Sequence, residues 1–147
     1  MSNIDNTSVK RITSDQTFNN NSTLADLISI PVLPDTSYTF DFLVHHTSNM
    51  MGGVKLGYSS SLSNLSGIIL RGDGSTSVTT IDPITESTTS FGHTPVNTTS
   101  WTRFSGSFLT SSTARKFAIQ GAQNSASAMF STVFKRGGFL ILTRIDT

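Results

Sequence analysis

Three histidines, nine carboxylates, 24 serines and a single tryptophan are the residues of this chain able to carry chemistry. Histidines converging with carboxylates would hold zinc, and a carboxylate pair would do acid–base work on a glycosidic bond. His45 and His46 are adjacent in an alternating stretch, so their side chains leave opposite faces of a strand and cannot grip one ion. His93 stands in a segment without pattern, and no spacing requires it to meet either of them. Surface or interface positions are expected for these histidines, and no metal site is predicted. Among the carboxylates, Asp5 and Asp146 lie near the termini, Asp26 and Asp35 fall in expected turns, and Glu86 is the sole glutamate, so no pair is marked out. The serines lack a G-x-S-x-G elbow, and the glycines lack a phosphate loop followed by Lys-Ser/Thr. No catalytic residue and no cofactor are predicted, and the chain reads as a non-enzyme.

Two further features are possible contact sites. Arg71-Gly72-Asp73 matches the integrin-binding tripeptide and is expected in a loop over Arg71 to Ser77. Three residues recur by chance, so a glycine-supported turn is the plainer reading; with Asp73, Gly74 and Asp82 the ligand density is too low for calcium. Trp101 falls on the opposite parity from Phe104 and Phe108, which directs it outward to a ligand or another subunit. Together with Tyr38, Tyr58 and the ten Phe it would make an aromatic platform of the kind that binds sugars; the plainer reading is core, which alternation supports for Tyr38, Phe40, Phe42, Phe104 and Phe108.

The elements that must position these residues are strands. Tyr38, Phe40, Phe42 and Val44 alternate with Thr39, Asp41 and His45, the period-2 signature of a half-buried antiparallel strand. Ile28, Ile30 and Val32 alternate too, with Pro31 placing that strand at an edge or bulge. Val54, Leu56 and Tyr58 follow the turn-forming Asn49 to Gly53. Ser59 to Ser66 reads as a polar loop, Gly67 to Leu70 as a short apolar strand, and Val78 to Ile84 as a strand interrupted by Pro83. Thr85 to Ser100 is a long loop, or an edge strand with a loop. Thr102 to Phe108 alternates again, and the block Arg115 to Ile145 supplies strands over Lys116 to Ala122 and Gly138 to Ile145, with a third apolar run over Met129 to Phe134. Phe117, Ile119, Leu140 and Leu142 are its expected core positions.

About eight short strands with turn signals between them predict an all-β chain, an antiparallel, jelly-roll-like β-sandwich. Residues 1–13 are polar with isolated anchors at Ile4, Val9 and Ile12, and are expected to form a flexible or extended arm that orders against a neighbouring subunit; residues 14–147 form the sandwich domain. Charged residues are 13% of the chain and the net charge is +1, while 24 Ser and 22 Thr cover the surface. Scattered basic residues give no footprint for nucleic acid or an anionic membrane, and neither partner is expected. The absence of cysteine suits a protein made in a reducing cytoplasm, and no signal peptide or apolar span of ~20 residues is visible.

The order of several short motifs resembles small modules of tailed-bacteriophage virion proteins. They are Ser22-Thr23-Leu24-Ala25-Asp26-Leu27, the aromatic strand Tyr38-Thr39-Phe40-Asp41-Phe42, Gly53-Val54-Lys55-Leu56, Ala122-Gln123-Asn124-Ser125 and Gly137-Gly138-Phe139-Leu140. The resemblance spans most of the chain and implies a non-enzymatic, oligomeric jelly roll in a virion. It leads to the expectation of a capsid decoration (cement) protein, a homotrimer bound to the major capsid protein or other virion proteins on the capsid exterior. A tail or fibre component contacting the host surface, or a carbohydrate-binding sandwich with a host-surface glycan as partner, is the alternative.

Overall fold

The computed structural model describes residues 6–48, 52–59, 62–73, 78–85, 90–93 and 99–145; for 73, 78–85, 90–93 and 99 the description is of backbone pairing. Twelve strands and no helix are found among them: β1 Thr7–Arg11, β2 Gln16–Phe18, β3 Ala25–Pro31, β4 Ser37–Thr47, β5 Val54–Tyr58, β6 Leu62–Asp73, β7 Val78–Thr85, β8 Ser90–His93, β9 Thr99–Thr110, β10 Lys116–Ala122, β11 Thr132–Phe134 and β12 Phe139–Arg144. They form two antiparallel sheets. One runs β1-β12-β4-β9-β6-β7, with β2 and β11 attached, and the other runs β3-β10-β5-β8.

Eight of the strands, β1-β12-β4-β9 in one sheet and β3-β10-β5-β8 in the other, follow the order of a jelly roll. The β6–β7 hairpin lies between β5 and β8 in sequence and widens the first sheet beyond β9. This hairpin corrects the expected loops at Ser59 to Ser66 and Arg71 to Ser77 over their described residues, because Leu62 to Asp73 is one strand, paired with β9 and, from Ser66 to Gly72, with β7 as well; residues 60–61 and 74–77 lie outside the described residues. Its serines and glycines are poor strand formers in isolation, and bonding to β7 and β9 overrides that preference. Gly106 faces Gly67 across this pairing, where a Cβ on Gly106 would fall 2.2 Å from the Ser66 carbonyl oxygen. Pro83 is accommodated because β7 is an edge strand.

The core lies between the sheets. Phe40, Phe42, Phe104, Phe108, Leu140 and Leu142 meet Ile28, Ile30, Leu56, Tyr58, Phe117 and Ile119, all buried. Phe117 stacks on Phe108 with ring centroids 4.5 Å apart and packs beside Phe40 at 5.2 Å. The register shift opposite Ile119 and Gln120 in the β3–β10 ladder leaves Leu27 as an extra residue in β3, a bulge on that strand. Leu27 and Ile28 of β3, consecutive in sequence, are both buried.

Residues 7–12 do not form a free arm. The pairs from Thr7 with Thr143 through Phe18 with Thr132 keep one register, so β1–β2 and β11–β12 make a single two-stranded ribbon interrupted at 12–15 and 135–138. Gly137 takes φ +94° at the interruption, and Asp15 accepts a 2.8 Å hydrogen bond from the Arg136 amide there. That bond, aided by Lys135, holds the Asp15 carboxyl below its ordinary range.

Candidate functional site

Alternation that buries one side of β4 and β9 presents the other to solvent. The register places His45, Trp101 and Gly72 in one row across β4, β9 and β6, then Leu43, Arg103 and Leu70, then Asp41, Ser105 and Ile68. The next strands extend the last row, since Ile141 pairs with Asp41 and Val9 with Ile141. Apolar side chains on this outward face include Ile68 and Val9, 43% and 60% exposed.

Trp101 lies down across β6. A Cβ on Gly72 would fall 1.9 Å from the indole Nε1, so the glycine makes room for the ring. Beside it Arg103 donates from Nε to Asp41 Oδ1 at 2.9 Å and from Nη2 to Oδ2 at 2.7 Å, a bidentate pair that fixes both side chains. The Asp41 hydrogen bonds hold the guanidinium still more firmly protonated. Leu43, His45, Leu70, Trp101 and Arg103 line a shallow hollow of about 320 Å³.

A second surface lies at one end of the sandwich. Gln123 is fully buried, and its Oε1 accepts from the amides of Asn21 at 2.8 Å and Ser127 at 3.2 Å. Its Nε2 donates to the carbonyls of Ser127 at 3.1 Å and Phe130 at 2.7 Å, so one side chain uses all four of its hydrogen-bonding positions. Asn19 adds bonds to the Ala128 carbonyl and the Ser131 hydroxyl, and the Ser125 amide reaches the Gly52 carbonyl. Fixed in this way, the loop of residues 123–131 leaves Met129 73% and Phe130 44% exposed. The expected apolar run Met129 to Phe134 is thus divided: β11 takes Thr132 to Phe134, with Phe134 buried, and the two residues ahead of it face solvent. Sequence reasoning missed Gln123, whose partners lie up to 102 residues away; a glutamine among small residues was its one local sign.

The other predicted positions separate. Ile4 lies outside the described residues, Val9 is on the outward face, and Ile12 is 4% exposed in this chain's own core. Ile12 is therefore not available to a neighbour. Trp101 is half-buried on the outward side. The Arg71-Gly72-Asp73 tripeptide ends strand β6 rather than forming a loop, with Arg71 buried and Gly72 beneath Trp101. His45 is exposed, but His46 is a core residue, not a surface one: it is fully buried, 2.9 Å from Thr102 Oγ1 and edge-on to Phe134. His93 ends edge strand β8 opposite Val54. Asp26 belongs to β3, not a turn, and hydrogen bonds from Lys116, then Gln120, hold its carboxyl below the usual range.

No family model matches the chain, and no curated protein matches it. Among solved structures, a structure of the infectious bursal disease virus Gx strain is similar at 11% identity and a TM-score of 0.26, over 96% of this chain and 37% of that one. The VP2 subviral particle of the same virus is similar at 12% identity and a TM-score of 0.25, with the same coverage. The enzymatically active domain of tailspike protein 4 from bacteriophage CBA120 is similar at 12% identity and a TM-score of 0.27, over 97% of this chain and 20% of that one. This chain spans well under half the length of each. The likeness to viral capsid and phage tailspike proteins is distant.

Proposed function

We propose that this protein is a non-enzymatic structural component of a tailed-bacteriophage virion, a decoration protein that binds the capsid exterior as a homotrimer. The observation that carries the docking role is the loop of residues 123–131, where Met129 and Phe130 protrude from backbone that Gln123 holds in place. Large apolar side chains on an already ordered loop lose little freedom when a partner buries them, which favours such residues as anchors. The motif order from Ser22 to Leu140 and the jelly-roll strand order support the virion assignment. A surface rich in Ser and Thr with few charges suits packing against copies and neighbours.

Mixing the purified protein with undecorated capsids of the parent phage and measuring occupancy by co-sedimentation tests this. Wild type is expected to bind to saturation, and the double variant Met129→Ser/Phe130→Ser to bind about tenfold more weakly with an unchanged circular dichroism spectrum. Equal occupancy of the two proteins, or no binding by wild type, sinks the docking role. Light scattering that returns a monomer removes the trimer. A second reading, a tail or fibre component meeting the host surface, is favoured by the hollow beside Trp101, and labelled-virion imaging separates the two locations.

A further inference from the structure

We infer that the hollow beside Trp101 is a saccharide site that receives one face of a neutral pyranose ring. This stands on the geometry of the hollow alone and is independent of the virion assignment. The indole reaches from β9 across Gly72 of β6, so it lies along the sheet and presents its outward surface as a platform. Aromatic faces are electron-rich and attract the weakly polarised C–H groups that a pyranose displays on one side. Leu43 and Leu70, in the adjacent row, continue that apolar floor.

The polar side of the hollow sets the ligand class. Arg103 lines the hollow and is locked to Asp41, which stands behind the lining residues, so guanidinium N–H donors border the hollow with a carboxylate acceptor beside them and their charges mutually cancelled. Vicinal hydroxyls both donate and accept, and they match such a pair; a phosphate or other anion would meet the Asp41 carboxylate. His45, paired in register with Trp101, adds a ring that can accept or donate a hydrogen bond. A volume of about 320 Å³ lies at the small end of ligand sites, which run from ~300 to ~1,000 Å³. The hollow is shallow, so weak binding with a Kd of about 1 mM is expected.

Trp101 is the sole tryptophan, so its fluorescence reports directly on the platform. The probes are methyl α-glucoside, methyl β-galactoside and N-acetylglucosamine, with acyclic sorbitol as control. At least one pyranose is expected to change the emission saturably, and sorbitol to leave it unchanged. Gly72→Ala, which displaces the indole without deleting it, and Arg103→Gln, which breaks the bidentate pair, are each expected to weaken binding about tenfold. Far-ultraviolet circular dichroism checks that both variants fold, and the exposed Arg103→Gln stands if Gly72→Ala does not. Absence of a saturable response to every pyranose up to about 100 mM, an equal response to sorbitol, or binding unaltered in a folded variant overturns the inference. Sugar-independent dimerisation that buries Trp101 also overturns it, by assigning the face to a second copy.

Discussion

The two faces of β4 and β9 use the same backbone for opposite ends. Facing inward, Phe40, Phe42, Phe104 and Phe108 are at most 4% exposed and join the two sheets. Facing outward one residue away, Leu43, Trp101 and Arg103 line a hollow, and Asp41 holds Arg103 by two hydrogen bonds. Strand periodicity alone separates residues that hold the fold from residues free to meet a partner. A single-residue slip in register would exchange them, which is why the long β4–β9 ladder, unbroken from Ser37 to Thr47, matters to both roles.

The sharpest contrast is between Phe104 and Trp101. Phe104→Ala opens a cavity among Phe40, Tyr58 and Ile69 and is expected to cost about 3–5 kcal/mol, whereas Trp101→Ala is expected to cost about 1 kcal/mol or less. Urea denaturation of the two variants checks this, and comparable losses would erase the distinction between the faces. The same parity divides the N-terminal ribbon. Ile12→Ala is expected to cost about 2–4 kcal/mol and Val9→Ala about 0.5 kcal/mol, although both were expected from sequence to contact a neighbour. Matching midpoints for these two variants would mean that Ile12 is not part of the core.

The smallest expected effect concerns Asp26, which joins β3 to β10 on the outer side of the other sheet through Lys116 and Gln120. Its folded pKa is depressed, chiefly by the Lys116 hydrogen bond, so its contribution is complete above the unfolded value of about 3.9 and is lost as pH falls through the folded one. The side chain is 34% exposed, so solvent screening limits the gain to about 0.5 kcal/mol. Asp26→Asn should therefore flatten the stability profile slightly below about pH 4 and lower stability slightly at neutral pH. An unchanged profile would place the pair among surface ion pairs without energetic weight.

What could be read from the sequence follows from how local each signal is. β4, β9, β10 and β12 declare themselves by alternation, and their core residues Phe117, Ile119, Leu140 and Leu142 are all buried. β6 declares only its middle, Gly67 to Leu70, since Ser63, Asn64 and Ser66 mimic a loop until pairing with β9, and from Ser66 with β7 as well, carries the strand through. Gly72 gives a misleading local signal for a related reason. A glycine beside an aspartate signals a turn locally, whereas here it clears space for a tryptophan 29 positions on, which register alone brings opposite. The outward parity of Trp101 was legible, but its partners Arg103, Asp41 and Leu70 come together through pairing across three strands. The apolar run Met129 to Phe134 does not tell its exposed start from its buried end, because hydrophobicity does not distinguish a buried residue from one displayed by a distant glutamine.

The ribbon of β1–β2 with β11–β12 also governs when the molecule can fold. β12 sits between β1 and β4, so β1 has no sheet partner, and β4 lacks the one beside it opposite β9, until residues near Arg144 have been made. Pairings that span nearly the whole chain carry a high loop-closure cost and slow the search for the native topology. Completion of this sheet therefore waits on its last strand, and until then β1 and the β12-side edge of β4 stand open to other chains.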